Sequence, residues 1–199
     1  MITFLDMSQE TPYVKFLELY EAALEAEQRG VEAIAISSFD NTAQEVESRF
    51  VNLKYIQGNQ WIFFSNYLSP KALNFESHPQ ISALFHWGSS NTQIRIKANI
   101  KKSPIEFSDK HFQGRSMEKN ALAISSQQSA LTNSYQDVKN NFSSTLEEMT
   151  DSTNRPEYWG GFSFKPYYFE FWQGHQNRLN QRHVFNQSNG AWVESFLQP

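Results

Sequence analysis

Thr92-Gln93-Ile94-Arg95-Ile96-Lys97-Ala98-Asn99-Ile100-Lys101 alternates without a break. Ile94, Ile96, Ala98 and Ile100 fall on one side of an extended chain and Gln93, Arg95, Lys97 and Asn99 on the other, so the segment reads as a strand with one dry face and one polar face. Working outward, residues 33–39, 48–55, 61–65 and 81–87 precede it as further strands. Turn residues separate them at Asp40-Asn41, Gln57-Gly58-Asn59 and Gly88-Ser89-Ser90-Asn91. On the C-terminal side, 161–172, 183–186 and 191–196 return to the strand pattern, with Asn189-Gly190 as a two-residue hairpin signal between the last two.

Helical periods interrupt the strands. Residues 13–29 place Phe16, Leu19, Tyr20, Ala23 and Leu24 on one face, with Gly30 as the stop. A short helix over 69–78 is signalled by Ser69 as N-cap, Pro70 at the first helical position and Pro79 beyond its end. Residues 108–114 form another short helix, and 134–149 a longer one opened by the Ser134-x-x-Asp137 capping pattern. The Ser- and Gln-rich residues 123–133 read as an ordered loop. Mostly antiparallel strands with flanking helices predict an α+β, mainly β, barrel-like core. At 199 residues the chain reads as one domain.

Composition removes several function classes. A net charge of −4 argues against a nucleic-acid partner, which needs a basic face. There is no cysteine, so disulfides, thiolate metal sites and cysteine nucleophiles are excluded together. The five histidines, His78, His86, His111, His175 and His183, show no metal spacing, so no metal is expected. Ser125, Ser126 and Ser129 lie in no Gly-x-Ser-x-Gly elbow. Glu147, Glu148 and Asp151 read as a solvated helix end. The N-terminus has no export signal and no apolar run spans a membrane, which fits a cytoplasmic protein. Aromatic content is 15%, with 17 Phe and 5 Trp, and those rings must serve as core, interface or ligand platform. One candidate platform is Glu170-Phe171-Trp172-Gln173-Gly174-His175-Gln176-Asn177-Arg178-Leu179-Asn180-Gln181-Arg182. Aromatic surfaces there adjoin two arginines spaced four apart, which suits a planar, anionic ligand.

Six segments occur together in a fixed order: Arg49-Phe50-Val51-Asn52-Leu53-Lys54, Phe64-Ser65-Asn66-Tyr67-Leu68-Ser69-Pro70-Lys71, Gln93-Ile94-Arg95-Ile96, Ser126-Gln127-Gln128-Ser129, Trp159-Gly160-Gly161, and Glu170 to Gly174 continuing through Arg178 and Arg182. In this the chain resembles the pyridoxamine 5′-phosphate oxidase family, over roughly residues 33–199. The resemblance implies an FMN-binding antiparallel split β-barrel, a homodimer with FMN at the interface, and a dimerisation and active-site region near 155–199. It also implies oxidation of pyridoxamine or pyridoxine 5′-phosphate by hydride transfer from C4′ to FMN, with O2 reduced to H2O2.

By the same resemblance, the FMN site comprises Arg49, Phe50, Val51, Asn52, Leu53, Lys54, Phe64, Ser65, Lys71, Gln93, Gln128 and Ser129. Trp172 and Arg182 join it from the neighbouring subunit. The small-molecule phosphate falls to Lys54, His111, Arg115 and Lys119, and the substrate over the flavin to Arg178 and Asn180, with Arg178 as the catalytic residue. Departures from the family pattern concentrate in this second pocket. His111 stands where a tyrosine is usual, Lys119 where a serine is usual, and Asn180-Gln181 where His-Asp is usual. At the flavin phosphate, Pro70 replaces a common arginine. His111 and Lys119 keep hydrogen-bond donors, Asn180-Gln181 removes an imidazole and an acid beside the substrate, and Pro70 removes one expected contact to the cofactor. They leave open a related oxidase acting on another planar substrate of dihydrophenazine type, or a flavin-binding protein without oxidase turnover.

Overall fold

The computed structural model describes residues 1–150 and 152–199. Its strands are β1 (Thr3–Leu5), β2 (Ala33–Asp40), β3 (Glu45–Asn52), β4 (Tyr55–Gln57), β5 (Gln60–Asn66), β6 (Gln80–Trp87), β7 (Thr92–Lys102), β8 (Trp159–Gln173), β9 (Gln181–Ser188) and β10 (Ala191–Leu197). The helices are α1 (Thr11–Glu25), α2 (Pro70–Ser77), α3 (Ile105–Gln113), α4 (Met117–Ser125) and α5 (Tyr135–Glu148). The strands form one sheet in the order β1-β4-β5-β8-β7-β6-β2-β3, with β9 added to β8 and β10 to β9. Every pairing among the described residues is antiparallel except β1 with β4.

The long strand β8 organises the fold. Along one edge it pairs with β7 from Phe162 to Gln173; along the other it pairs with β5 from Trp159 to Phe164 and then with β9 from Tyr168 to Gln173. Pro166 lies between the β5 and β9 pairings and opposite Ala98 of β7, whose register shifts between Lys97 and Ala98. The sheet splits at this point, and the architecture is the expected split β-barrel.

The alternation in β7 behaves as read. Ile94, Ile96, Ala98 and Ile100 are buried, and Arg95, Lys97 and Asn99 are exposed. Most of the aromatic content goes into the core. Phe16 of α1 is fully buried with its ring centroid 4.5 Å from Trp61, and it also packs on Phe85 and Trp87. One face of α1 thus plugs the barrel.

Local chemistry decided several ends differently from expectation. The single strand expected over 48–55 breaks into β3 and β4 because Leu53 turns its side chain fully into the core while its N–H bonds Glu32 O. Helix α1 stops at Glu25, before Gly30, through a turn with Glu27 at φ 55°. The expected loop at 123–133 begins inside α4, whose Asn120, Ala121 and Ala123 are buried. Ser69 occupies the N-cap of α2 without capping it, since its Oγ donates to Asn66 O and accepts from Lys71 Nζ. Ser134 does cap α5, accepting the Asp137 N–H at 3.1 Å. Asn189 and Gly190 have φ of 50° and 81°, as a type I′ hairpin requires. Glu147 and Glu148 end α5 in solvent, and Asp151 lies outside the described residues. Among the described residues, no helix is long and apolar enough to cross a membrane.

Candidate active site

A cleft of about 1130 Å³ opens where β3, β5, the start of β8, the first turn of α2, the α3–α4 turn and residues 128–129 converge. At one end, Arg49 projects from β3, with Nη1 donating to Ser38 Oγ at 2.7 Å and Nη2 to Glu47 Oε2 at 2.7 Å. Beside it Lys71, only 5% exposed, has Ser69 Oγ at 3.0 Å as its hydrogen-bond partner. Burial, followed by repulsion from Arg49, pulls the Lys71 ammonium down to about 8 from its ordinary 10.5. Burial also lowers Arg49, against the pull of Glu47. Gln128 is oriented by its Oε1, which accepts from Ser65 Oγ at 3.0 Å and from the Asn66 N–H at 3.2 Å.

The other end carries Lys54, His111, Arg115 and Lys119. Phe64 forms its aromatic wall, with the His111 ring stacked 3.6 Å from it and Trp159 stacked 5.4 Å away. The Arg115 guanidinium lies 4.3 Å over Trp159, and its Nη2 donates to Lys119 O at 2.8 Å. Its Nη1 is buried without a hydrogen-bond partner among the described residues. Burial brings Arg115 down to about 10, and burial with the Arg115, Lys54 and Lys119 charges brings His111 down to about 4. Among the described residues, Lys54, Arg115 and Lys119 make no ion pair. This end of the cleft thus concentrates positive charge without a carboxylate partner among the described residues.

Thirteen of the sequence-predicted residues therefore meet in one cleft: Arg49, Phe50, Val51, Asn52, Lys54, Phe64, Ser65, Lys71, His111, Arg115, Lys119, Gln128 and Ser129. Leu53 does not, because its side chain is in the core. Gln93, Trp172 and Arg182 form a separate row at the far end of β8, where the register pairs Gln93 with Trp172 and Trp172 with Arg182. Behind that row Glu170, 1% exposed, joins Arg95 and Arg182 at 2.8 Å each and accepts from the Tyr168 hydroxyl at 3.0 Å. Arg178 is exposed in the β8–β9 loop at φ 61°, and Asn180 Oδ1 accepts the His175 N–H at 3.1 Å.

Sequence reasoning missed Glu47, Tyr55 and the ring of Trp159. Trp159 sits in a quoted motif whose glycines explain the wall: a Cβ on Gly160 would collide with the Tyr67 hydroxyl, itself bonded to Gly161 O at 3.1 Å. Tyr55 carries no local signal, since its role comes from a contact with α3; Glu47 has one, because it stands two positions from Arg49 on the same face of β3.

Residues 159–199 match the family model described as the pyridoxine 5′-phosphate oxidase C-terminal dimerisation region. The chain is similar to the pyridoxine/pyridoxamine 5′-phosphate oxidase of Leptospira biflexa, at 34% identity over 97% of this chain and 93% of that one. It is 32% identical to the protein of the same name from Herminiimonas arsenicoxydans, over 94% of this chain and 89% of the relative. In fold it is similar to PhzG from Burkholderia lata, solved with tetrahydrophenazine-1-carboxylic acid, with a TM-score of 0.89 at 23% identity over 96% and 93% of the two chains. A pyridoxamine 5′-phosphate oxidase-related, FMN-binding protein from Nostoc punctiforme gives a TM-score of 0.77 at 10% identity over 96% and 99%. With such identity sustained across nearly its whole length, the chain belongs to the pyridoxine/pyridoxamine 5′-phosphate oxidase family of FMN-dependent oxidoreductases.

Proposed function

We propose that this oxidase converts pyridoxamine or pyridoxine 5′-phosphate to pyridoxal 5′-phosphate, reducing O2 to H2O2, as a cytoplasmic homodimer. The observation that carries the reading is one aromatic-walled cleft with a cationic cluster at each end, as two phosphorylated ligands lying together would need.

The residues fit FMN. Lys71 is almost wholly buried, has a serine hydroxyl as its partner and is repelled by its neighbour Arg49, so a phosphate dianion would supply the counter-charge that burial withholds. In this reading Arg49, Lys71, Ser65, Gln128 and Ser129 hold the cofactor phosphate and ribityl end, with residues 50–54 along the cleft edge. FMN, when bound, supplies the two-electron redox chemistry. Lys54, His111, Arg115 and Lys119 clamp the substrate phosphate, which fixes the position of its reacting carbon.

A second copy completes the site. Trp159 lines the cleft, and Trp172 lies thirteen positions further along β8, roughly 40 Å of extended strand away. Gln93, Trp172 and Arg182 are thus too distant to touch a ligand in their own cleft. In a dimer they would contribute to the partner's, together with Arg178 and Asn180 on the adjoining loop. The match of 159–199 to a dimerisation region supports this arrangement.

His111, Lys119 and Asn180 favour one second reading, an oxidase for another planar anionic substrate. The Burkholderia lata structure shows a ring acid held on this fold. Reconstitution with FMN followed by a peroxide assay with pyridoxamine 5′-phosphate tests the proposal. Flavin uptake with peroxide release is expected. Flavin uptake without peroxide would favour the second reading or binding without turnover, and failure to bind FMN would overturn both.

A further inference from the structure

Tyr55 occupies β4, just past the break at Leu53, and points toward α3 rather than along the sheet. Its hydroxyl lies 2.9 Å from His111 Nδ1, and its ring meets the imidazole edge-on at 5.4 Å and 87°. Phe64 stacks on the imidazole face, and Phe107 packs edge-on against Tyr55 at 5.2 Å. The imidazole is therefore fixed in plane by one ring and in rotation by one hydrogen bond. Its other nitrogen, Nε2, has no hydrogen-bond partner among the described residues and is not among the buried, unsatisfied atoms, which leaves it open to the cleft that His111 lines.

A neutral imidazole carries one proton, and the bond made by one nitrogen decides what the other offers. The Tyr55 hydroxyl has no other acceptor within hydrogen-bonding distance among the described residues, so its proton is best used by donating to Nδ1. That assignment leaves the imidazole proton on Nε2, facing an end of the cleft whose charged members, Lys54, Arg115 and Lys119, are all cations. The alternative tautomer would aim a lone pair at any anion held by those three.

We propose that Tyr55 is a positioning residue that holds His111 as its Nε2–H tautomer, so that His111 gives the substrate's anionic group a fixed, uncharged donor between three cations. The inference rests on the reading of this end of the cleft as the substrate's anion site. Neutrality is also consistent with the charges facing the ring, since Arg115, Lys54 and Lys119 all disfavour an imidazolium there. A neutral donor adds a directed hydrogen bond without adding to that repulsion, and its geometry selects a tetrahedral or planar oxyanion over a ligand that offers only hydrogens.

Two measurements on the FMN-loaded protein test this. Nitrogen-15 NMR of the imidazoles, with His111 assigned by its loss in His111→Phe, reads the tautomer directly in the absence of substrate. The expected spectrum shows a protonated Nε2 and a bare Nδ1, and in Tyr55→Phe the two forms mix. Titration with inorganic phosphate should shift the Nε2 signal in the wild type. Steady-state kinetics with pyridoxamine 5′-phosphate supplies a double-mutant cycle. His111→Phe should raise KM by about tenfold, the loss of one charge-assisted bond, and Tyr55→Phe by about twofold, since mixing the tautomers leaves about half of the imidazole in the donating form, with FMN content little changed. Their combination should be no worse than His111→Phe alone. A protonated Nδ1 in the wild type, or additive effects of the two substitutions, would overturn the proposal. If pyridoxamine 5′-phosphate is not turned over, the functional reading fails, while the tautomer and its phosphate response still decide the role of Tyr55.

Discussion

At the start of β8 the cleft holds Lys54, Lys71, Arg115 and Lys119 with no carboxylate in ion-pair contact among the described residues, whereas at its far end Arg95 and Arg182 share the buried Glu170 at 2.8 Å each. Each region takes a charge out of water, Lys71 in the cleft and Glu170 at the far end, which is costly unless the charge is compensated. At the far end the compensation is internal, and the result is scaffold: three strands, β7, β8 and β9, tied through one carboxylate. In the cleft it is missing, and Lys71 and Arg115 titrate below their ordinary values as a consequence. Uncompensated charge of this kind is stability given up in the free protein and recovered when an anion binds. Arg49 stands between the cases, paired with Glu47 yet turned into the cleft.

That contrast can be broken from either side. Glu170→Ala should remove about 3 kcal/mol of unfolding free energy in urea, because two arginines lose their shared acid and Tyr168 its acceptor. Partial exposure of both arginines keeps the figure at the low end, and a loss below about 1 kcal/mol would mean that solvent already compensates them. Arg49→Ala should weaken FMN binding about 100-fold, since a charge-assisted bond disappears and Glu47 is left facing the phosphate. Flavin titration by fluorescence quenching measures it, and its stability cost should be smaller than that of Glu170→Ala.

Lys71 supplies the sign test. Its pKa in the free folded protein is about 8 against an ordinary 10.5, so between those values the unfolded chain binds more protons and stability rises with pH. FMN binding runs the other way. Below pH 8 the lysine is already charged; above it, binding must take up a proton, and affinity falls by as much as about tenfold per pH unit. Lys71→Met should weaken FMN binding about 30-fold at about pH 7, flatten that pH dependence between about 8 and 10, and leave the free protein as stable or more so. A wild-type affinity independent of pH across this window would show that Lys71 does not face the phosphate.

How much of this was legible follows the same division. The alternation of β7, the Asn189-Gly190 turn and the Ser134 cap could be read because each depends on neighbours in sequence. The helix α4 could not, since buried Ala121 and Ala123 depend on packing more than on a strong local period. Motif order names thirteen residues that line one cleft together, and it names Leu53 as well, whose side chain is turned into the core at the break between β3 and β4. Glu47 lies two positions from Arg49 on the same strand face, a spacing that the sequence does carry, whereas Tyr55 acts across a contact with α3 that no local spacing encodes. Nor does sequence show that Gln93, Trp172 and Arg182 lie a strand's length from the cleft, which becomes plain only when β8 is seen whole.

The loop after β8 offers the smaller tests of the proposed two-copy site. Arg178→Ala should lower kcat about tenfold while FMN affinity stays within about twofold, because the side chain is exposed in the free protomer and remote from the Arg49 and Lys71 cluster. Asn180 has two roles to separate. Its Oδ1 already accepts the His175 N–H, so in this structure it braces the loop that carries Arg178. A brace acts by narrowing the conformations of the loop, and losing one neutral hydrogen bond in a solvated loop costs little stability, about 0.5 kcal/mol. Asn180→Ala is therefore expected to reduce kcat about threefold through misplacement of Arg178, and to have almost no effect once Arg178 is already alanine. Asn180→Asp keeps the acceptor and should restore the rate. If the aspartate variant instead abolished turnover while the alanine variant stayed active, the position would be meeting an anionic substrate directly, and the far end of β8 would share the cleft's chemistry instead of only supporting it.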